Sequence, residues 1–334
     1  AKVTTLTQSP QSIVWSPDGK HSAFTRFVPA TPPTLADMPA KPKGAKWAEP
    51  ATVVDRMTFR FDGGGYLPTG NQQVFVVPAD GGTPRQMTFG DYPISGAVSW
   101  MPDSQSIVFS SNRRENVEYH PRQNDLYTAS IITGELTQMT DHAGPEGNPA
   151  VSPNGRYLAY TSAANTRQGY NRADLRVMDL TSGESRSLTA ELDRSVSDIQ
   201  WSADSKSVWI RYNDLGMARI AEVDLKGNLT RADVVLGGTA LGRPYTSGTF
   251  SVGGKDSIAY TLGRDDRPAD LALMRSGKQP LQLTDLNSDL MGQREMSRVE
   301  RMVWPSSHDG MEIEGWVMKP PGFDPEKQYP MILE

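Results

Sequence analysis

Cysteine is absent from these 334 residues. Disulfide staples and thiolate chemistry are therefore excluded, while the compartment stays open, because exported proteins also do without cysteine. A bacterial cytoplasm and a periplasm are equally compatible. Histidine is scarce, at His21, His120, His142 and His308 only. None stands at zinc-ligand spacing from a second histidine or a carboxylate, so neither a metal nor a cofactor is expected. There is no run of 18 apolar residues, so no helical membrane span is expected. No long basic run exists and the net charge is -5, which argues against nucleic acid as a partner. The first residues, Ala1-Lys2-Val3-Thr4-Thr5, do not read as a signal peptide. Helical periodicity is weak; only Leu290 to Val303 tolerates a helix.

Turn residues, by contrast, are abundant, with 30 Gly and 25 Pro, and one phrase built from them recurs. It reads Trp15-Ser16-Pro17-Asp18-Gly19, Trp100-Met101-Pro102-Asp103-Ser104, Val151-Ser152-Pro153-Asn154-Gly155 and Trp201-Ser202-Ala203-Asp204-Ser205, with a worn copy at Ser251-Val252-Gly253-Gly254-Lys255. Asp103, Asn154 and Asp204 stand 51 and 50 residues apart. Each phrase opens a unit with room for four short strands. The second unit supplies Ile107-Val108-Phe109, then the alternating Asp125 to Ser130, then the turn Thr133-Gly134-Glu135, then Leu136 to Thr140. Four strands per unit of that length is the content of a β-propeller blade. The expected fold is all-β, with five complete blades beginning near 15, 100, 151, 201 and 250. Trp15, Trp100 and Trp201 share one repeat position, which points to packing within or between blades. Asp18, Asp103, Asn154 and Asp204 are expected to cap their turns.

The first unit is longer than the others. A Pro- and Lys-rich excursion runs over 29–50, and Phe59-Arg60-Phe61-Asp62-Gly63-Gly64-Gly65-Tyr66-Leu67 follows it. Irregular insertions on a repeat often mark a functional face. Trp47 lies off the repeat and is the best ligand-facing aromatic. The densest charge cluster, Arg113-Arg114-Glu115 with Glu118, His120 and Arg122, falls between two strands of the second unit. A solvated loop or a structural salt-bridge patch is the plainer reading of that cluster.

Taken together, the phrases resemble the propeller of the prolyl oligopeptidase superfamily of serine peptidases, the S9 group. The acylaminoacyl-peptidase and dipeptidyl-peptidase-5-like branch is the nearer likeness. Phe59 to Gly63 with Gly70 to Phe75, and Ser110 to Glu115 running into Asn124 to Tyr127, carry part of it. The tail carries most: His308-Asp309-Gly310-Met311-Glu312-Ile313-Glu314-Gly315-Trp316-Val317, Lys319-Pro320-Pro321-Gly322-Phe323 and Tyr329-Pro330-Met331-Ile332-Leu333. The resemblance implies a propeller over 1–298, and a hairpin and linker over 299–334 that leads into an α/β-hydrolase domain, with Gly315 and Trp316 between the two.

A nucleophile elbow, G-x-S-x-G, occurs nowhere in the chain, so no catalytic residue is assigned within it. The expected role is to gate and position short peptides or acyl-peptides for a hydrolase domain. The chain alone is expected to be inactive. Arg113 or Arg114, and Glu115 or Glu118, are the substrate-proximal candidates: glutamates for an ammonium, arginines for a carboxylate or a carbonyl. The relatives' usual seven blades imply that more of the propeller precedes residue 1, with Thr4 to Thr7 as the closing strand of an earlier blade. Open blade edges would permit self-association. The rival reading is a non-enzymatic, TolB-like propeller serving as a protein-interaction module.

Overall fold

The computed structural model describes residues 3–36, 39–48, 51–166, 168–238, 247–254, 257–275 and 278–333. Pro50, Lys255 and the turn at Ser276-Gly277 lie outside them. The chain is about 2% helical. It forms five four-stranded antiparallel sheets, the blades of a β-propeller.

The first blade comprises β1 (Gln11–Trp15), β2 (His21–Pro29), β5 (Gly70–Pro78) and β6 (Arg85–Gln86). A small hairpin, β3 (Arg60–Phe61) with β4 (Gly65–Tyr66), lies between β2 and β5 in sequence. The second blade is β7 (Ile94–Trp100), β8 (Ser106–Ser111), β9 (Asp125–Ser130) and β10 (Leu136–Gln138). The third is β11 (Glu146–Val151), β12 (Tyr157–Ala163), β13 (Ala173–Asp179) and β14 (Ser185–Ser187). The fourth is β15 (Val196–Trp201), β16 (Ser207–Asp214), β17 (Met217–Asp224) and β18 (Leu229–Arg231). The fifth is β19 (Phe250–Gly253), β20 (Ser257–Arg264), β21 (Arg267–Arg275) and β22 (Leu281–Gln282). A one-turn helix, α1 (Ser288–Met291), precedes a hairpin of β23 (Val299–Pro305) and β24 (Glu312–Met318).

Contacts divide the chain into two compact units, residues 1–210 with 222–229, and residues 211–221 with 230–334. In the first unit, the second strand of each blade is sealed on both faces. Ile107, Val108 and Phe109 of β8, and Leu158, Ala159 and Tyr160 of β12, are buried. A continuous apolar run suits a strand covered on both sides, whereas the outermost strands β10 and β14 carry the polar, half-exposed residues.

The repeated phrase acts at two levels. Locally, Ser16 Oγ donates to Asp18 Oδ1 (2.6 Å), which also accepts from Lys20 N–H (3.0 Å). Asn154 and Asp204 repeat that turn with Ser152 and Ser202. These bonds, the serine hydroxyl foremost, hold the Asp18 and Asp204 carboxyls below the usual value. Asp103, whose phrase has Met101 in place of serine, keeps only the bond from Gln105 N–H, 2.9 Å.

Between blades, the Trp100 indole donates to the Val14 carbonyl (3.2 Å) and the Trp201 indole to the Ala150 carbonyl (2.8 Å). In return, Asp18 N–H donates to Ser104 Oγ and Asn154 N–H to Ser205 Oγ, both at 3.1 Å. Ser104 and Ser205 take φ of 59° and 61°, where the other phrases place Gly19 and Gly155. A serine there bears a backbone cost that its interblade hydrogen bond offsets.

Two expectations need correction. Trp15 does not pack like its repeat partners; it is 58% exposed, against 6% for Trp100 and 8% for Trp201. Those two indoles reach the inner strand of the preceding blade, and the described residues contain no blade before Trp15. Residues 4–7 form no strand. Instead Gly82 N–H donates to the Val3 carbonyl (3.2 Å), and Val3 and Leu6 pack on Phe24, Phe75 and Val77 of the first blade.

In the second unit, the strand pair β23–β24 runs from Val299↔Met318 to Pro305↔Glu312. The Trp316 ring lies against Gly216, where an added Cβ would come within 2.6 Å of it. The Trp304 ring covers Gly315 in the same way, at 2.8 Å. Glycine at 216 and 315 is what admits the two indoles. Both rings remain more than two-fifths exposed on their other faces.

Candidate functional site

The blades differ most in the connection between their second and third strands. In the fourth and fifth blades two residues suffice, Leu215-Gly216 and Asp265-Asp266. In the first blade the connection runs over 30–69, closed at its base by Ala30 N–H donating to the Thr69 carbonyl (3.0 Å). In the second it runs over 112–124. Both expansions leave from the same end of neighbouring blades, and between them lies a cleft of about 2030 Å³. That exceeds the volume of an ordinary small-molecule pocket and suits a short peptide.

The 112–124 loop is built on buried Asn112. Its side-chain amide donates to the His120 carbonyl (2.7 Å), and its Oδ1 accepts from Arg114 N–H (3.4 Å). Asn116 adopts the left-handed conformation (φ 54°, ψ 46°), which asparagine tolerates, and starts a 3₁₀ turn over Val117–Tyr119. Arg114, Glu115 and Glu118 line the cleft.

Arg113 does not line it. Its guanidinium lies over the Tyr92 ring (4.4 Å to the centroid) and near Tyr127 (5.9 Å). Burial draws its pKa below the ordinary value for arginine. Arg113 therefore props Tyr92, which does line the cleft.

Arg114 is engaged from below. Its guanidinium contacts the buried Asp125 carboxylate (3.0 Å) and Asp141 (2.8 Å). Asp125 itself follows the repeat: Asp270 at the matching place in the fifth blade accepts from Thr284 Oγ1, Gln282 Nε2 and Leu286 N–H. Asp125 likewise accepts from Gln138 Nε2 and His142 N–H. The guanidinium is the addition. Burial raises the Asp125 pKa, and Arg114 opposes that shift.

The cleft's other guanidinium, Arg56, is held by Asp91 at 3.1 Å, and Asn71 Nδ2 also donates to Asp91 (2.6 Å). Met57 N–H donates to Glu118 Oε1 (3.3 Å), which pins the 30–69 connection to the 112–124 loop. Both arginines of the cleft are thus paired with carboxylates. Among the described residues, Asp55, Glu115 and Glu118 form no ion pair. The uncompensated charge of the cleft is negative.

The cleft also carries apolar surface. Trp47, Phe59, Phe61 and Tyr66 line it and are all exposed. Trp47 is where an off-repeat aromatic is expected. The contribution of Phe59, Phe61 and Tyr66 was readable only as an insertion; the signal for it is three aromatics around a Gly63-Gly64-Gly65 turn, off the blade period. Among the described residues, no three His, Asp or Glu side chains come together in a way that would hold a metal ion.

Residues 46–168, which span most of the cleft and the blades beneath it, match the family described as the dipeptidyl peptidase IV (DPP IV) N-terminal region. Dipeptidyl-peptidase 5 of Porphyromonas gingivalis is 27% identical over 241 residues, covering 70% of this chain and 34% of that protein. The chain is related to the N-terminal regions of S9 peptidases. The uncharacterized peptidase YuxL of Bacillus subtilis is 24% identical, covering 78% of this chain and 52% of that protein. Among solved structures, the acylaminoacyl peptidase of Pyrococcus horikoshii superimposes with a TM-score of 0.66 at 16% identity, over 94% of this chain and 44% of that one. That likeness establishes the propeller fold. The chain spans between about a third and a half of the curated relatives it matches. The propeller is therefore peptidase-related, and the two loops that form its cleft both fall mostly within the matched span.

Proposed function

We propose that this chain is the substrate-positioning propeller of a serine exopeptidase, and that its cleft receives the free amino end of a short peptide. Glu118 and Glu115 hold the terminal ammonium. The nucleophile, its base and its orienting acid come from an α/β-hydrolase domain outside these residues, since no G-x-S-x-G is present. Admission through a cleft between blade loops favours short, unfolded peptides over folded proteins.

One observation carries this reading. Arg56 and Arg114 are both neutralised by carboxylates, so the charge left in the cleft is that of Asp55, Glu115 and Glu118. A cleft of that kind attracts a cation, and a charge-assisted hydrogen bond to a carboxylate is roughly twice as strong as a neutral one. Arg114 then acts through Asp125 and Asp141 to steady the loop that bears the glutamates; it is a positioning residue.

Calorimetric titration of the chain with Ala-Ala amide and its N-acetyl form tests the reading. The free amine is expected to bind about tenfold or more tightly than the acetylated peptide. Glu118→Gln is expected to erase most of that difference. Equal binding of the two peptides by the unmodified chain would overturn it.

A further inference from the structure

The ammonium reading leaves the aromatic residues of the cleft unused. Phe59, Phe61 and Tyr66 belong to a hairpin of two-residue strands, paired Arg60↔Tyr66 and Phe61↔Gly65, with Leu67 N–H returning to the Phe59 carbonyl (2.8 Å). So short a hairpin gains little from its own ladder. It also buries little: Phe61 is 59% exposed and Tyr66 61%. The glycines explain why. Gly65 lies across the ladder from Phe61, and an added Cβ at Gly63 or Gly65 would meet nothing within 4 Å. Gly63 and Gly65 have φ of 74° and 71°, so the tight turn demands glycine there, and the result leaves the Phe61 ring uncovered. Phe59 and Tyr66 lie 6.2 Å apart between centroids at 31°, a paired surface rather than two separate rings.

This surface faces the same cleft as the unpaired carboxylates, and its backbone is tied to them. The segment that leads into the hairpin is fastened by Met57 N–H to Glu118 and by Arg56 to Asp91. An occupant of the cleft therefore meets both negative charge and exposed aromatic rings. We infer that the Phe59–Tyr66 hairpin is a specificity shelf that selects peptides carrying a bulky apolar or aromatic side chain in their first two residues. The inference rests on the proposed peptide-binding role, and adds to it the substrate class and the residues that read it. A ring laid on Phe61 removes apolar area from water on both sides, while an alanine methyl cannot span to it.

Calorimetry of the chain with Phe-Phe amide and Ala-Ala amide, each also N-acetylated, separates the two claims. Phe-Phe amide is expected to bind roughly tenfold or more tightly than Ala-Ala amide. Phe61→Ala should bring the two within about twofold by weakening Phe-Phe amide, with Tyr66→Ala giving a smaller loss of the same kind. Both residues are exposed, so both variants should keep the fold. If the unmodified chain binds Phe-Phe and Ala-Ala amides equally but rejects acetylated forms, the shelf is overturned and the ammonium reading stands. If Phe-Phe is preferred but free and acetylated forms bind equally, the shelf stands and the ammonium reading falls. Discrimination that survives Phe61→Ala overturns the shelf, and failure to bind any of the four peptides overturns both.

Discussion

Phe109 and Phe61 are both phenylalanines on antiparallel strands of the first unit, and they lead opposite lives. Phe109 sits on β8 inside a blade, is 0% exposed, and stacks on Tyr127 at 6.1 Å. Phe61 sits on a hairpin inserted between β2 and β5 and keeps 59% of its surface in contact with solvent. The difference lies in the period. A residue on the fifty-residue grammar has blade neighbours on both faces of its strand, so its ring is spent on packing. A residue in an insertion has only the partners its own loop provides, and here those are glycines. The blades are a scaffold with little chemistry left over, and the insertions carry side chains that the scaffold does not use.

The sharpest way to break this comparison is to truncate both rings. Phe109→Ala should cost about 3–5 kcal/mol, because it removes a buried ring and leaves a cavity in a core shared with Tyr127. Phe61→Ala should change stability by no more than about 0.5 kcal/mol. Urea unfolding followed by circular dichroism measures both. Similar losses at the two positions would mean that the hairpin is part of the core, and the shelf would lose its rationale.

The blade architecture is legible in the sequence because one turn has one chemical solution. Ser16-Pro17-Asp18-Gly19 needs a side-chain acceptor at its third place and a positive φ at its fourth, and the copies at 100, 151 and 201 meet both needs. The charge cluster at 113–118 is legible as a cluster, but its internal division is not. Adjacent Arg113 and Arg114 point to different places, one onto Tyr92 and the other to Asp125 and Asp141. Tyr92 and Asp141 are distant in sequence, and no local pattern announces them. Trp15 is misread for a related reason: its fate depends on the neighbouring blade, not on its own phrase.

Arg114 stands where the regular and irregular parts meet, so removing it probes the join. Arg114→Met leaves Asp125 buried beside an apolar chain. Breaking a buried pair costs more than an exposed one is worth, but Arg114 is itself about a third exposed, which lowers the penalty to roughly 1–3 kcal/mol at neutral pH. Burial already raises the Asp125 pKa, and loss of the guanidinium raises it further. The deficit should therefore shrink as the pH falls and Asp125 takes up a proton. A deficit that stays constant from neutral to acid pH would show that Arg114 contributes packing rather than charge.

Glu146 gives the smallest effect and tests the same boundary from the blade side. It opens β11, its N–H donates to the Asn124 carbonyl (2.9 Å), and its own carbonyl accepts from Ser110 Oγ (2.6 Å). Asn124 ends the cleft loop, so a blade strand and the loop share this residue. Its carboxyl is buried, and Oε2 has no hydrogen-bond partner among the described residues. Burial raises its pKa above the ordinary 4.5, with the Thr140 hydroxyl and His142 only partly opposing that shift. The folded chain thus binds this proton more tightly than the unfolded chain does. The resulting stabilisation is full below the ordinary carboxyl range and is lost as the pH rises through the raised value. Glu146→Gln carries no such charge. Relative to the unmodified chain it should gain about 1 kcal/mol between acid and neutral pH, read from urea midpoints across that range. A difference independent of pH would mean that the carboxyl finds a compensating partner on ionising, and that the start of β11 is more polar than the blade grammar requires.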